Sequence, residues 1–289
     1  MGIPEAQRRV TIKDVAALAD VSISTVSHTF SRGRPVAAST AEKVIRAADT
    51  LGYRPHPVAR SLRTGQSGLL GVILRPRNAV HGSLAGTETF TRFSGAAAAA
   101  TLALGRGLVH VPDPLSAQSR QIAMDGCIVE SPNHDDRVLA ELRRRGVPVV
   151  CCDVRPEHEA DPWSILVDHA GVTSELFARL VATGARSIWL IGGEDDNAWN
   201  LYMRRSFDDF CASHDVAGRT DRLFEGTGVE GAYRLARPVL ESPQRPDAVV
   251  VASTRFAIGV ADAARELGIA LRDELQLAAL TDSDLTRLY

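Results

Sequence analysis

From residue 68 onward the chain repeats one pattern, a short and almost uninterrupted apolar run followed by a longer stretch. The runs are Gly68–Leu74, Gly107–Val111, Gly126–Val129, Val147–Cys151, Ser187–Ile191, Ala248–Val251 and Leu275–Leu280. Stretches with helical spacing separate several of them, as at Arg137–Arg145, Gly171–Thr183 and Ala257–Leu267. Strand-length runs without polar alternation are buried on both faces, and strands that alternate with helices pair in parallel. The body is therefore expected to be α/β, with parallel sheets and helices on both faces. Between Pro112 and Met124 there is space only for a short helix, around Ser116–Ala123.

The amino-terminal part follows a different rule. Thr11 with Asp14 three residues on has the form of a capping box, and Ile12, Val15, Ala16 and Ala19 follow at helical spacing. Asp20-Val21-Ser22 breaks that helix, and Ser22 can cap a second one in which Val26 and Phe30 point inward. Ile23, Ser24, Thr25, Ser27 and His28 are then left on the free face. A third helix is expected from Ser39, with Glu42 as capping partner, burying Val44, Ala48 and Leu51 and stopping at Gly52. Two short helices joined by a tight turn, the second with small polar side chains outward, are suited to a DNA major groove. A three-helix bundle with a merely polar surface gives the same pattern.

Charge separates the two readings. Residues 1–65 hold ten Lys or Arg against five Asp or Glu, whereas the whole chain has a net charge of −2, so a basic module precedes an acidic body. Such an arrangement fits phosphate binding through one end only. Pro55 and Pro57 then interrupt the third helix, and a helical turn and a half leads into Thr64-Gly65-Gln66-Ser67-Gly68. So short a helix needs a partner to hold it.

Asp14-Val-Ala, Val21-Ser, Ser24-Thr-Val-Ser27, Gly52-Tyr-Arg-Pro55 and Val58-Ala-Arg-Ser-Leu62 occur in fixed order over residues 11–63. Together they resemble the headpiece and hinge of LacI-type repressors. In the body, Met124-Asp-Gly-Cys-Ile-Val129, Val167-Asp168, Ile191-Gly-Gly193 and Pro246-Asp-Ala-Val249 extend the resemblance. It implies a headpiece over residues 1–54, a hinge and linker over 55–67, and a periplasmic-binding-protein-like core over 68–289. The lobes of that core are placed at about 68–166 and 167–289. The resemblance further implies a homodimer that represses transcription from a pseudo-palindromic operator in double-stranded DNA, with Leu62 as a wedge in the minor groove. Base reading falls to Ile23, Ser24 and His28. Phosphate contacts fall to Thr11, Ser22, Thr25, Ser27 and Tyr53, joined by the cations Arg32, Arg34, Arg60 and Arg63. The family usually carries Arg where His28 stands, and an imidazole cannot reproduce the bidentate fork of Arg on guanine, so the operator is expected to differ at that base pair.

A small-molecule effector, a sugar or related metabolite, is expected in the cleft between lobes, beyond the carboxyl ends of the strands. The family's usual Arg and Asp are not found there. Aligning Ser206-Phe207 with the usual Gly-Phe puts Met203 at the arginine, with Arg204 or Arg205 as substitutes, and Thr254 stands at the aspartate. Asp195, Asn197 and Trp199, from the acceptor-rich stretch Glu194–Asn200, and Asp282 complete the candidate set. That stretch suits a polyol or a cationic ligand; it also reads as an exposed acidic helix start favoured by the helix dipole. A DNA-binding regulator with no small-molecule effector remains the second reading.

An enzyme is the remote alternative. No Gly-x-Gly-x-x-Gly follows any of these apolar runs, and there is no Walker loop and no Gly-x-Ser-x-Gly. His110, His134, His158, His169 and His214 are scattered and read mostly as surface residues. Cys127, Cys151, Cys152 and Cys211 lack metal-ligand spacing and read as buried, reduced thiols, so neither metal nor cofactor is expected. Met1–Val10 has no apolar core for a signal peptide, and no run approaches transmembrane length, so the expected location is cytoplasmic, with the nucleoid and away from membranes. The family continues for several tens of residues past the last strand; a chain ending at Tyr289 is expected to be a shortened form, or one compensated by a partner chain or altered interface.

Overall fold

The computed structural model describes residues 10–31, 34–54, 65–74, 88–112, 114–153 and 162–283. The chain divides into two units, Met1–Gly68 and Leu69–Tyr289.

The first unit contains α1 (Ile12–Ala19), α2 (Ile23–Ser31) and α3 (Ala38–Leu51). Asp14 closes the capping box, its carboxylate accepting the Thr11 N–H at 2.8 Å and the Thr11 hydroxyl at 2.7 Å. The turn into α2 is made by Asp20 in the left-handed region (φ 50°), which lets the Val21 N–H reach back to the Ala16 carbonyl at 3.0 Å. Ser22 then accepts the Thr25 N–H at 3.0 Å and so caps α2. The core is Val15, Ala16, Ala19, Val26, Val44, Ala47 and Ala48, with Ile12, Leu51 and Tyr53 against it. Two expectations are corrected. Phe30 does not point inward; it is 37% exposed and packs on the Tyr53 ring at 5.9 Å between centroids. The third helix starts at Ala38 after Ala37 and has no side-chain cap, so the Ser39–Glu42 box is not used. It ends as expected, at Gly52 with φ 66°.

In the second unit the first lobe holds β1 (Leu69–Ile73), α4 (Glu88–Ala103), β2 (Gly107–His110), α5 (Ala117–Arg120), β3 (Gly126–Glu130), α6 (Arg137–Arg144), β4 (Val149–Cys152) and β5 (Ser164–Ile165). The second holds α7 (His169–Ala182), β6 (Ser187–Gly193), α8 (Ala198–His214), β7 (Ala217–Leu223), α9 (Gly228–Glu241), β8 (Ala248–Val251), α10 (Thr254–Glu266) and β9 (Gln276–Ala279), with a 3-10 turn at Glu225–Thr227. The strand orders are β2-β1-β3-β4-β5 and β7-β6-β8-β9, and every pairing is parallel. Ser116 caps the short α5 by accepting the Ser119 N–H at 3.1 Å.

In the second lobe successive residues of one strand feed opposite cores. Trp189, Ile191, Val249 and Val251 pack under α9 and α10, while Ile188, Leu190, Ala248 and Val250 pack under α7 and α8. Gly259 brings α9 and α10 close, since a Cβ there would lie 2.3 Å from the Val229 carbonyl oxygen. The first lobe is covered less evenly. Cys127, Val129 and Cys151 are buried under Val138, Leu139 and Leu142 of α6, whereas Leu70, Ile128 and Val150 on the other face are only half-buried.

Candidate functional site

On α2, Ile23 is 45% exposed and Ser24 is exposed, while Thr25, Ser27 and His28 are half-buried. The sequence placed all five on the free face; the structure sinks the last three partway. His28 Nδ1 is shielded from solvent. Thr11 already gives its N–H and hydroxyl to Asp14, and the Ser22 and Thr25 hydroxyls lie 2.8 Å apart, so these donors are held in place by the helix ends. Tyr53 is half-buried, its hydroxyl pushed above the ordinary tyrosine range by burial, and Arg34 is exposed. Arg32, Arg60, Leu62 and Arg63 lie outside the described residues.

The second unit encloses a cavity of about 620 Å³ between its lobes. Its walls come from the carboxyl ends of both sheets: Glu130 at the end of β3, Asp153 after β4, Glu225 after β7, Ser253 after β8 and Asp282 after β9. Helix α4 adds Phe90 and Phe93, and the segment after β6 adds Asn197 and Trp199. This placement follows from parallel pairing, because every strand of both sheets points its carboxyl end at the same crevice.

Of the residues singled out from sequence, Asn197, Trp199 and Asp282 line the cavity. Asn197 also caps α8, accepting the Asn200 N–H at 2.9 Å, so the two readings of Glu194–Asn200 hold at once. Asp195 stands behind the wall, close enough to raise the carboxyl of Glu225. Arg204, Arg205 and Thr254 do not line the cavity. Arg204 turns to the Gly193 carbonyl oxygen at 3.5 Å and to Asp196 at 4.0 Å; Arg205 is exposed; Thr254 is 1% exposed and gives its N–H to the Thr281 hydroxyl at 3.1 Å. Met203, aligned with the family arginine, is fully buried in the core under α8.

Four residues not chosen from sequence define the chemistry instead. Arg255 is 6% exposed, one step along α10 from Thr254, and donates to the Glu225 carbonyl oxygen at 3.2 Å. Desolvation lowers its pKa, with Glu225 opposing that shift. Burial, reinforced by Asp195 and Glu130, pushes the Glu225 carboxyl up to about 7 against the pull of Arg255. The remaining two form a buried pair across the lobes, His169 Nε2 and Asp153 Oδ2 at 2.6 Å, with side chains 8% and 6% exposed. His169 is thus not a surface histidine. The lobes also meet where the His134 N–H reaches the Asp196 carbonyl at 2.8 Å and Asn133 bridges to Asn197.

The thiols are buried less uniformly than expected. Cys127 and Cys151 are buried, but Cys152 and Cys211 only partly. Burial pushes Cys127 up to about 12 and Cys152 up to about 11, so neither carries a nucleophilic thiolate near neutral pH. Among the described residues no helix is long and apolar enough to cross a membrane.

Residues 11–56 match the model of bacterial regulatory proteins of the lacI family, and residues 177–289 match that of a periplasmic binding protein-like domain. The chain belongs to the LacI family. Among LacI-family proteins it is 27% identical over 292 residues to catabolite control protein A of Staphylococcus epidermidis, covering 96% of this chain and 84% of the relative. It is 29% identical over 272 residues to the HTH-type transcriptional repressor PurR of Erwinia tasmaniensis, covering 92% of this chain and 79% of the relative. A lac repressor dimer bound to operator and the anti-inducer ONPF superposes with a TM-score of 0.76 at 24% identity, over 96% of this chain and 84% of that one. The complex of the regulator CelR with cellobiose gives 0.62 at 20% identity, over 95% and 84%. At those identities the structural likeness is one of fold. As a LacI-family member the chain is a sequence-specific DNA-binding transcriptional regulator rather than a catalyst.

Proposed function

We propose that the protein represses transcription as a homodimer on a pseudo-palindromic operator, and that a small molecule in the inter-lobe cleft modulates its hold on DNA. The observation that carries the first part is the capped pair α1–α2, which exposes Ile23 and Ser24 on a short helix with His28 half-buried beside them. Ile23, Ser24 and His28 read bases; Thr11, Ser22, Thr25, Ser27, Arg34 and Tyr53 hold phosphates. Arg32, Arg60 and Arg63 add positive charge, and Leu62 wedges the minor groove, by resemblance alone. The headpiece is assigned to residues 1–54, the hinge to 55–67 and the core to 68–289.

Selection of bound sequences from a randomised duplex pool tests this reading. Enrichment of a palindrome with two half-sites is expected; enrichment of none overturns it. The cleft favours an effector over a regulator that has none, because about 620 Å³ of space is walled by aromatic rings and a few convergent charged groups. Asn197, Trp199, Asp282, Glu225 and Arg255 are assigned to ligand contact, with Asp195 acting through Glu225. Arg204, Arg205 and Thr254 are left to support the wall.

A further inference from the structure

We propose that Phe30 is a positioning residue for operator binding: its ring, packed on Tyr53, fixes the tilt of α2 and holds the Tyr53 hydroxyl for a DNA phosphate. This rests on the reading that Tyr53 meets a phosphate, and it adds the residue that ties that contact to α2. Among the described residues Val26 is the one buried residue of α2, while Thr25, Ser27, His28 and Thr29 are half-buried. A helix with a single fully buried anchor can rock about it, so its direction is decided at its two ends. The amino-terminal end is held by the Asp20 turn, where the Val21 N–H reaches the Ala16 carbonyl at 3.0 Å, and by the Ser22 cap on the Thr25 N–H. Phe30 stands four residues past Val26, on the same helix face and in the last turn. There it meets the Tyr53 ring at 5.9 Å between centroids, with the two planes at 55°, a tilted arrangement within the range of aromatic attraction.

Tyr53 is placed to use that support. It follows Gly52, the left-handed stop of α3, and its N–H reaches the Ala48 carbonyl at 2.8 Å, so its backbone is fixed. Its ring lies half-buried against the headpiece core, and its hydroxyl meets no hydrogen-bond partner among the described residues. Burial raises the pKa of that hydroxyl, so it stays protonated near neutral pH and is a donor for an anionic oxygen. Phe30 is 37% exposed, so packing in the core does not by itself account for an aromatic ring there. Ile23 and Ser24 stand on the other side of Val26, in the first turn of α2. A rocking of α2 that lifts Phe30 from Tyr53 therefore also moves these two side chains relative to a base edge. One ring contact thus sets both a base-reading edge and a phosphate donor.

The test is a double-mutant cycle on the full chain, with affinity read by fluorescence anisotropy on a duplex carrying the palindrome selected from the randomised pool. Tyr53→Phe removes the hydroxyl and keeps the ring; it is expected to weaken binding roughly tenfold per half-site, the effect of one hydrogen bond to a charged acceptor. Phe30→Ala is expected to weaken binding by more than that, and the double variant by less than the product of the two effects. Phe30→Tyr, which keeps a ring at the contact, is expected to restore the affinity. Phe30→Leu takes the place of Phe30→Ala if circular dichroism shows that the alanine variant does not fold. Effects of the two substitutions that multiply, or a Phe30 variant that binds as wild type does, overturn the positioning role and leave the Tyr53 contact standing. Unchanged affinity in Tyr53→Phe removes the phosphate reading of Tyr53 and this proposal with it, and failure to select any palindrome removes both together with the operator reading.

Discussion

The headpiece and the cleft solve the problem of presenting a few side chains in opposite ways. In the headpiece the assigned contacts within the described residues lie between Thr11 and Tyr53, on helices whose ends are closed by local bonds such as Asp14 to Thr11 and Thr25 to Ser22. In the cleft they come from Phe90 at one extreme to Asp282 at the other, on segments joined only because parallel strands end at one crevice. Local bonds make the first site nearly independent of the remainder of the chain. The second exists only once both sheets have formed, and it contains Glu225 and Arg255, whose charged forms are disfavoured by burial.

Substitutions can break that contrast, and the largest effect is expected at the pair joining the lobes. His169→Ala leaves the nearly buried Asp153 without its imidazole, and loss of one member of such a pair costs about 3 kcal/mol. Urea unfolding followed by tryptophan fluorescence should show the loss in the second unit, with headpiece amide exchange unchanged. Equal loosening of the headpiece would show that the two regions are not independent.

Glu225→Gln is expected to act in the other direction, and only above a certain pH. The ordinary carboxyl value is 4.5 and the folded one about 7, so the folded chain retains this proton over that interval. Glu225 thus favours the fold most below about pH 4.5, and that contribution is lost as pH rises through about 7. The amide is expected to be more stable than wild type by on the order of 2 kcal/mol at about pH 8, discounted for partial solvent access, with no gain at about pH 4. Melting temperatures across that range would check the sign; a gain largest in acid would refute the assignment.

In the headpiece the expected effects are smaller and of another kind. His28→Arg should leave stability unchanged and shift preference at one base pair of each half-site toward guanine, worth about 1–2 kcal/mol of discrimination. An unaltered sequence preference in a randomised pool would remove His28 from base reading. Ser22→Ala should cost about 1 kcal/mol through the lost cap of α2, visible in amide exchange of α1 to α3 and silent in ligand binding to the cleft.

What could be read from sequence follows the same division. The helix-turn-helix, its caps at Thr11 and Ser22 and its stop at Gly52 were legible because each is a local signal between residues at most a few positions apart. Strands β1, β3, β6 and β8 were legible because burial on both faces demands uninterrupted apolar runs. Strand β7 was not, since an edge position lets it carry Arg219, Thr220, Asp221 and Arg222, with only Leu223 and Asp221 turned partly inward. The Asp221 carboxylate is used there, accepting the Trp189 indole N–H at 2.8 Å. Strand β5 has two residues, too few for any periodic signal. Phe30 was misplaced because helical spacing assigns an aromatic ring to the core without regard to the neighbour, Tyr53, that shelters it at the rim.

In the cleft, sequence found Asn197, Trp199 and Asp282 but chose Thr254 over Arg255. A resemblance fixes a position in an alignment, whereas the rotation of α10 decides which of two adjacent side chains turns to the cavity. His169 and Asp153 gave no signal at all, being too far apart in sequence to suggest a contact.

The amino-acid sequence by itself determined the two architectures and the family, because propensity, capping and burial act over short stretches of chain. Only the tertiary structure decided that Glu225, His169 and Arg255 share one crevice with Trp199. Their ionisation and hydrogen bonding depend on distances between strands far apart in sequence, and on burial that no local pattern encodes.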